Sequence, residues 1–178
     1  MHKDIKEIMF TENELSSLVD SVAERINADY GDEEIIAVVV LKGSLIFSAD
    51  LIRKLNMNVR VDFMQASSYG AGTESSGTIK IKKDIENDVK GKNVLIIEDI
   101  IDSGRTLSLL KQEMKNRGAA SVKIATLLSK PSRHVVKVET EYIGAEIPDE
   151  FVVGYGLDLA EKYRNLPYIG VLKPEVYA

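Results

Sequence analysis

The sequence predicts an α/β fold built on a parallel sheet, and three stretches of the chain predict it. Residues 35–41 form a continuous β-branched run, which is typical of a strand covered on both faces. Residues 94–98 form a second apolar strand pattern, and the helical spacing of residues 106–117 follows it. Residues 121–128 then return to a strand pattern. Strands that alternate with helices in this way favour a parallel sheet with right-handed crossovers.

The same periodicities predict the remaining elements. Residues 11–29 have the spacing of an amphipathic helix, and Thr11 with Glu14 forms a capping box at its start. Gly118 stands where a left-handed residue would end the helix at 106–117. The other predicted elements are a helix at 45–55, a strand at 59–64, a polar, glycine-rich mobile loop at 65–77 and a short strand at 78–82. After Lys130 the pattern changes to short extended pieces.

Length and composition bound the class of protein. At 178 residues the chain is expected to form a single domain, residues 1–178. The net charge of -5 argues against partners such as nucleic acid or an anionic membrane surface. The chain has no cysteine, which excludes disulfides and thiol chemistry, and its two histidines argue against a zinc site. No signal-peptide pattern opens the sequence and no apolar run approaches a membrane span, so a cytoplasmic location is expected.

Three loops are expected to leave the carboxyl ends of the predicted strands. They are residues 42–44, residues 98–106 and the region of Lys130. In open α/β sheets, ligands bind in the crevice beyond these ends. The sequence therefore predicts a binding site along this edge of the sheet.

The loop at residues 98–106 combines carboxylates with an anion-binding turn. Glu98, Asp99 and Asp102 lie close together, and the hydroxyl- and glycine-rich run 103–106 begins the next helix. One such acid would as readily be a helix N-cap or a solvated residue, but three beside this turn favour a site. Backbone N–H groups at a helix start favour a phosphate, whereas the carboxylates need sugar hydroxyls or a cation such as Mg²⁺. A ribose 5-phosphate would satisfy both groups.

This segment resembles the phosphoribosyl-pyrophosphate-binding motif of type I phosphoribosyltransferases: an apolar strand, two acidic residues, then Asp-Ser/Thr-Gly-x-Thr. Other stretches are similar to the hypoxanthine-guanine phosphoribosyltransferase family, namely LKG at 41–43, SSYG at 67–70, Lys130 in LLSKP, and residues 147–174 with their FVVGYGLD sequence. The similarity covers nearly the whole chain. It implies a parallel-sheet, Rossmann-like type I phosphoribosyltransferase core with a small hood built from the terminal segments.

The resemblance implies an enzyme of purine salvage. Such an enzyme transfers the 5-phosphoribosyl group from phosphoribosyl pyrophosphate to hypoxanthine or guanine, giving IMP or GMP and pyrophosphate, with Mg²⁺ as the cofactor. Xanthine is left open as a third base. Since members of the family form homodimers or homotetramers, one of these assemblies is expected.

The resemblance also assigns roles around the donor sugar. Asp102 would lie near purine N7 as the general base, with a helix N-cap as its alternative role. The other assigned residues are Glu98 and Asp99 for the ribose hydroxyls and Mg²⁺, Ser103, Gly104, Arg105 and Thr106 for the 5′-phosphate, and Lys42, Gly43 and Arg164 for pyrophosphate. A non-proline cis peptide bond is implied at Leu41-Lys42. Without the resemblance, residues 42–44 would be only a turn and Arg164 a solvated arginine.

For the purine, the resemblance assigns Lys130, Phe151, Val152 and Asp158, and it assigns Ser68 and Tyr69 to a flexible loop that closes over the reacting centre. Lys130 would set specificity, because an ammonium group only donates hydrogen bonds and suits a 6-oxo group better than the 6-amino group of adenine. Phe151 would stack on the base and Val152 would contact its edge through backbone groups. Asp158 would lie near the base and a second Mg²⁺. On composition alone, Phe151 would be a core residue and Asp158 a turn acid.

Two other classes of protein are weighed against this enzyme. A regulator of the same fold could bind RNA through a basic face, but the net charge of -5 and the purine-pocket match argue against it. A receiver domain would also have an acidic pocket. It would not explain the run 103–106 or the set of residues from Lys130 to Arg164.

Overall fold

A six-stranded sheet forms the centre of the protein. The computed structural model describes residues 1–68 and 79–177. Its strands are β1 (Ile5–Phe10), β2 (Ile35–Val40), β3 (Val59–Ser68), β4 (Ile79–Lys83), β5 (Asn93–Ile101), β6 (Ser121–Ser129), β7 (Tyr142–Glu146), β8 (Val152–Val153) and β9 (Ile169–Leu172). The central sheet has the order β4-β3-β2-β5-β6-β7, in which every pair is parallel except the β3–β4 pair at one edge. The predicted α/β fold with a parallel sheet is confirmed.

Helices cover both faces of this sheet. They are α1 (Glu12–Tyr30), α2 (Leu45–Ile52), α3 (Arg105–Asn116) and the short C-terminal α4 (Pro174–Tyr177), and a 3-10 turn spans Pro131–Arg133. Apolar side chains of α1 and α2 pack with Leu95 and Ile97 of β5, whereas those of α3 pack with Val94 and Ile96. Because successive strand residues point to opposite faces, the three long helices enclose the sheet from both sides. The central strand β2 is consequently buried at every position.

A second, smaller sheet combines the two ends of the chain. It has the order β1-β9-β8, and both of its pairs are antiparallel. Ile5 of β1, Val153 of β8 and Leu172 of β9 form a small buried cluster of their own. This sheet is the hood of terminal segments that the family resemblance implies.

The boundaries of several elements differ from the sequence prediction. Strand β3 continues to Ser68, four residues into the predicted loop, because Gln65–Ser68 pair with β4 and so satisfy their backbone groups despite small polar side chains. Strand β5 likewise continues beyond Glu98 to Ile101, beside β6. Helix α2 ends at Ile52 rather than at residue 55. None of the helices within residues 1–68 and 79–177 has the length and apolar character that a membrane crossing requires.

The two predicted helix-end signals are confirmed. Thr11 caps α1, with its hydroxyl accepting from the backbone N–H of Glu14 while the Glu14 side chain accepts from the backbone N–H of Thr11. Gly118 follows α3 with φ +85°, a conformation that favours glycine. Strand β1 was not predicted, because its partner β9 lies at the other end of the chain and its own pattern is too short to identify it.

Candidate active site

A cavity of about 320 Å³ opens at the carboxyl ends of β2 and β5. The structure brings together here most residues that the sequence analysis singled out. Those that line the cavity are Lys42, Gly43, Glu98, Asp99, Asp102, Ser103, Gly104, Thr106, Asp158 and Arg164. Arg105 is the first residue of α3 and is the one residue of the predicted cradle 103–106 that does not line the cavity.

Glu98 and Asp99 form an acidic pair at the end of β5. Both are half-buried, and the backbone N–H groups of Asp99 and Ile100 donate to the side chains of Glu98 and Asp99 respectively. Burial and the neighbouring Asp99 carboxylate raise the pKa of Glu98 well above its usual value. Burial also raises the pKa of Asp99, although hydrogen bonds with Glu98 and with backbone N–H groups, and then the charge of Arg164, offset part of this effect. Two such carboxylates side by side favour a cation or hydroxyl donors between them.

The predicted phosphate cradle forms the turn between β5 and α3. Gly104 is the N-cap of α3 and has φ +77°, and the start of this helix, where backbone N–H groups have no intrahelical acceptor, lines the cavity. The N-cap alternative for Asp102 is therefore wrong, because Asp102 lies two residues before the cap. Gly104 is also needed for space, since a Cβ there would lie 2.6 Å from the carbonyl oxygen of Val136.

The loop after β2 lies across the cavity from this cradle. Its Leu41-Lys42 peptide bond is cis, as the family resemblance implies. Gly43 packs directly on Asp99: a Cβ at Gly43 would lie 1.6 Å from the nearer carboxylate oxygen. Gly156, which has φ +103°, approaches the loop from the hood side, and a Cβ there would lie 2.0 Å from the carbonyl oxygen of Gly43. Glycine at both positions allows the two backbones and the carboxylate to meet.

Arg164 and Lys42 share one carboxylate that the sequence analysis missed. Arg164 donates to the Gly156 carbonyl at 2.7 Å and lies 3.0 Å from Asp158, while its buried Nε has no partner in the described part of the chain. Glu161 lies between the two cations, 3.1 Å from Arg164 and 2.8 Å from Lys42. Lys42 and Arg164 together hold the pKa of Glu161 below its usual value. Both cations therefore face the cavity already paired with an anion.

A second cavity of about 290 Å³ adjoins the first, and the two share Asp99, Asp102 and Asp158. The predicted purine residues Lys130, Phe151 and Val152 line it. The Lys130 side chain is only 11% exposed, and its ammonium group lies 3.7 Å from a carboxylate oxygen of Asp149.

Phe151 and Val152 reach this second cavity from the hood. The Phe151 ring stacks on Tyr177 of α4, with ring centres 4.8 Å apart and planes at 23°. Tyr177 does not line the cavity, so it supports Phe151 from the far side. Because Leu172 N–H donates to the Phe151 carbonyl, the alternation of an antiparallel pair directs the peptide groups of Val152 away from β9. The backbone of Val152 can thus face a ligand.

Comparison with known proteins identifies the family. Residues 9–160 match the phosphoribosyl transferase domain family. A hypoxanthine-guanine phosphoribosyltransferase of Staphylococcus aureus is 46% identical over 178 residues, which are all of this chain and 99% of that protein. The chain belongs to the hypoxanthine-guanine phosphoribosyltransferase family.

Further similarities agree with this membership. A crystal structure of a hypoxanthine phosphoribosyltransferase from Staphylococcus aureus has a TM-score of 0.96 at 46% identity, covering 100% of this chain and 97% of that chain. A hypoxanthine phosphoribosyltransferase from Trypanosoma cruzi has a TM-score of 0.93 at 40% identity, covering 99% and 100%. The bifunctional protein TilS/HprT of Listeria innocua is 51% identical over the whole chain, but the chain spans only 28% of its length. The type I phosphoribosyltransferase fold is thereby confirmed.

The sequence analysis also missed Arg133 and Asp149, two residues beside the second cavity of this hypoxanthine-guanine phosphoribosyltransferase family member. Nε of Arg133 donates to Oδ1 of Asp102, and its Nη1 lies 3.4 and 3.5 Å from the two carboxylate oxygens of Asp149. No sequence pattern indicates either residue, because an Arg in a short turn and an Asp after a proline are usually solvated. Of the predicted flexible loop, Ser68 ends β3, while Tyr69 lies outside the described residues.

The acidic residues suit the way a phosphoribosyltransferase would hold Mg²⁺. Within the described residues, no group of three or more His, Asp or Glu side chains converges as a complete metal site. Mg²⁺ rarely uses such a group: it takes one or two carboxylates and completes its shell with water and substrate oxygens. The Glu98–Asp99 pair, with its raised pKa values, would supply the two carboxylates.

Proposed function

We propose that this protein transfers the 5-phosphoribosyl group from phosphoribosyl pyrophosphate to hypoxanthine or guanine, giving IMP or GMP and pyrophosphate in purine salvage. One observation carries the proposal. The two adjoining cavities have a phosphate cradle in one and a buried lysine beside an aromatic ring in the other, and Asp102 lines both. A base, a ribose and a phosphate would follow one another in that order.

Asp102 would act at the junction of the two substrates. The bond between C1 of the ribose and the pyrophosphate oxygen breaks, a purine ring nitrogen forms the new bond to C1 with inversion, and the proton leaves the purine. The Asp102 carboxylate would accept that proton near N7 and would also stabilise the positive charge that develops on the ribose. Replacing a general base typically costs about 10²–10⁴-fold in rate.

The leaving group would be held by the two cations that face the first cavity. Lys42, the backbone of Gly43 and Arg164 supply donors for pyrophosphate, and the buried Nε of Arg164 is a donor that still needs an acceptor. The backbone N–H groups of the cradle 103–106 would hold the 5′-phosphate. These two anion sites lie on either side of Glu98 and Asp99, where the ribose hydroxyls would bind.

Mg²⁺ would bind at Glu98 and Asp99, and a second ion would bind near Asp158. The ion would neutralise charge on the pyrophosphate oxygens and so improve the leaving group. The protein's own contribution is to keep the carboxylates in place: the Asp99 N–H donates to Glu98 at 3.1 Å, and the Ile100 N–H donates to Asp99 at 2.7 Å.

Lys130 would select the base. A side-chain exposure of 11% makes an unmatched ammonium group costly. A 6-oxo purine accepts from Lys130, whereas the 6-amino group of adenine would leave that donor unpaired. Phe151 would stack on the purine face.

We also propose that the reaction takes place in the cytoplasm.

We propose further that the protein self-associates as a homodimer or homotetramer. Helix α2 and strand β3 carry four exposed apolar side chains, those of Leu45, Ile46, Val61 and Phe63. The pairing of Val61 and Phe63 with residues of β2 puts them on the sheet face that carries α2, so the four side chains belong to one face. Sedimentation of the wild type and of Phe63→Glu tests this: a wild-type monomer would contradict it.

The activity test uses purified protein, phosphoribosyl pyrophosphate, Mg²⁺ and each of hypoxanthine, guanine, xanthine and adenine, with nucleotide formation followed for each base. We expect IMP and GMP but no AMP. Lys130→Ala should raise the KM for the 6-oxo purines far more than that for the sugar donor, whereas Lys137→Ala, an exposed lysine nearby in the chain, should not. No nucleotide from any of the four bases would refute the proposal.

A further inference from the structure

Arg133 holds the carboxylate to which the proposed function assigns the role of general base. Its Nε donates to Oδ1 of Asp102, which leaves Oδ2 without a partner from Arg133. Both side chains are 49% exposed at the mouth of the purine cavity. An exposed ion pair of this kind is often incidental and contributes little. Its significance therefore depends on whether the backbone fixes the two residues opposite each other.

The backbone does fix them. The N–H of Lys130 donates to the carbonyl of Ile101 at 2.9 Å, and the N–H groups of Val135 and Val136 donate to the carbonyl of Ser103 at 3.0 and 3.1 Å. These acceptors are the residues directly before and after Asp102. The segment 130–136, which we call the strap, is thus attached on both sides of Asp102, with Arg133 at its centre.

The strap forms a hydrogen-bonded turn where it carries Arg133. It contains the 3-10 turn Pro131–Arg133, in which the N–H of Arg133 donates to the Lys130 carbonyl at 3.0 Å. The His134 ring lies 3.2 Å from the hydroxyl of Ser129. The backbone hydrogen bonds of the strap place Arg133 opposite Asp102, so only the two side chains must be ordered for the ion pair to form.

Arg133 also connects Asp102 to the lysine that would select the base. The same guanidinium lies within 3.5 Å of Asp149, and Asp149 lies 3.7 Å from the ammonium group of Lys130. Charges therefore alternate beside the pocket in the order Lys130, Asp149, Arg133, Asp102. Such a chain sets the spacing between the group that binds the 6-oxo edge and the group that meets the ring nitrogen.

We propose that Arg133 is a positioning residue for phosphoribosyl transfer: it holds one oxygen of Asp102 so that the other faces the purine. This inference rests on the proposed function. Arg133 does not line the purine cavity and touches no reacting atom in this account. Replacing Arg133 should therefore change kcat only by changing the position of Asp102, whereas the effect of replacing a residue that merely stabilises the fold would not depend on Asp102.

The test is a double-mutant cycle of Arg133→Ala and Asp102→Asn, assayed for kcat and for the KM of each substrate. In the wild-type background we expect Arg133→Ala to lower kcat by about 10–100-fold, since a misplaced catalytic group costs that much, with the KM for the donor changed by less than about twofold. In the Asp102→Asn background, which itself loses about 10²–10⁴-fold, Arg133→Ala should have almost no further effect. Arg133→Lys, which keeps one charged donor, should recover part of kcat. Lys137→Ala is the matched control and should behave as wild type.

Several outcomes would overturn the proposal. Equal losses in both backgrounds would make Arg133 structural, and a lower purine KM with unchanged kcat would make it a competitor of the base. If Arg133→Ala retains wild-type kcat while the wild type is active, this inference fails and the proposed function stands. If the wild type forms no nucleotide, the proposed function itself has failed.

Discussion

Replacing Gly43 with alanine tests the geometry of the acidic pair most directly. A Cβ at Gly43 would lie 1.6 Å from Oδ2 and 2.7 Å from Cγ of Asp99, whereas real Cβ contacts stay above 3.0 Å. The carboxylate must therefore move by more than about 1 Å, and a displacement of that size costs about 10²-fold in rate. Gly43 does not have the positive φ that disfavours alanine, so the free energy of unfolding should change by less than about 1 kcal/mol.

Steady-state kinetics with both substrates and urea unfolding of the same preparation measure the two expectations. We expect kcat/KM for the donor to fall by about 10²-fold while the unfolding midpoint barely changes. Gly91→Ala is the opposite control: Gly91 has φ +70° and open space around its Cβ position, so alanine there should cost about 1–2 kcal/mol of stability and leave turnover unchanged. A Gly43→Ala variant with wild-type kcat/KM would show that the position of Asp99 does not matter to catalysis.

Three further variants test the surroundings of the site. Burial raises the pKa of Asp62, but hydrogen bonds from Asn87 and from neighbouring backbone N–H groups outweigh it and hold that pKa below its usual value. Asp62→Ala should thus lower the free energy of unfolding by about 2–4 kcal/mol, measured with urea at pH 7. This loss should become smaller as the pH falls from about 4 through the lower pKa of Asp62 in the folded state. A loss of stability that does not vary with pH would contradict this. Glu161→Gln should lower the KM for phosphoribosyl pyrophosphate and the inhibition constant of pyrophosphate by about 2–5-fold, because Lys42 and Arg164 lose the carboxylate that pairs with them. An increase in either constant would show that Glu161 does not compete with pyrophosphate for these cations. Tyr177→Ala should raise the purine KM by about 2–12-fold, the equivalent of an aromatic pair of about 0.5–1.5 kcal/mol, whereas Tyr177→Phe should not.

The sequence predicted the site best where several of its residues lie in one short segment of the chain. The acidic pair, Asp102 and the cradle 103–106 all lie within residues 98–106, so one strand followed by one helix start places them without reference to the rest of the chain. The loop after β2 was predictable for a related reason: parallel neighbours end at the same edge of a sheet. Roles for distant residues such as Arg164 came only from the resemblance, because the pairing that brings the hood to the sheet leaves no local pattern.

What the sequence could not predict depends on side chains that meet from distant segments. Glu161 reaches Lys42 from a turn in which Ala160, Glu161 and Tyr163 all have positive φ, a conformation that no residue type there suggests. The Arg133–Asp102 pair depends on the strap, whose hydrogen bonds join it to residues about 30 positions earlier. Strand β3 was predicted too short, because the antiparallel partner that extends it lies beyond a polar, glycine-rich segment.

The charges of the donor site are not balanced in the same way on its two sides. On the cationic side, Glu161 pairs with both Lys42 and Arg164, and at 63% exposure it can give way to pyrophosphate at small cost. On the acidic side, the neighbouring carboxylates Glu98 and Asp99 both have raised pKa values, and at Asp99 hydrogen bonds and the charge of Arg164 only partly offset the effect of burial. The negative charge of the phosphoribosyl donor would be attracted by the cations Lys42 and Arg164, but it would increase the repulsion at the carboxylates Glu98 and Asp99. The need for a divalent cation should therefore belong to donor binding, and Mg²⁺ titrations should change the donor KM strongly and the purine KM little.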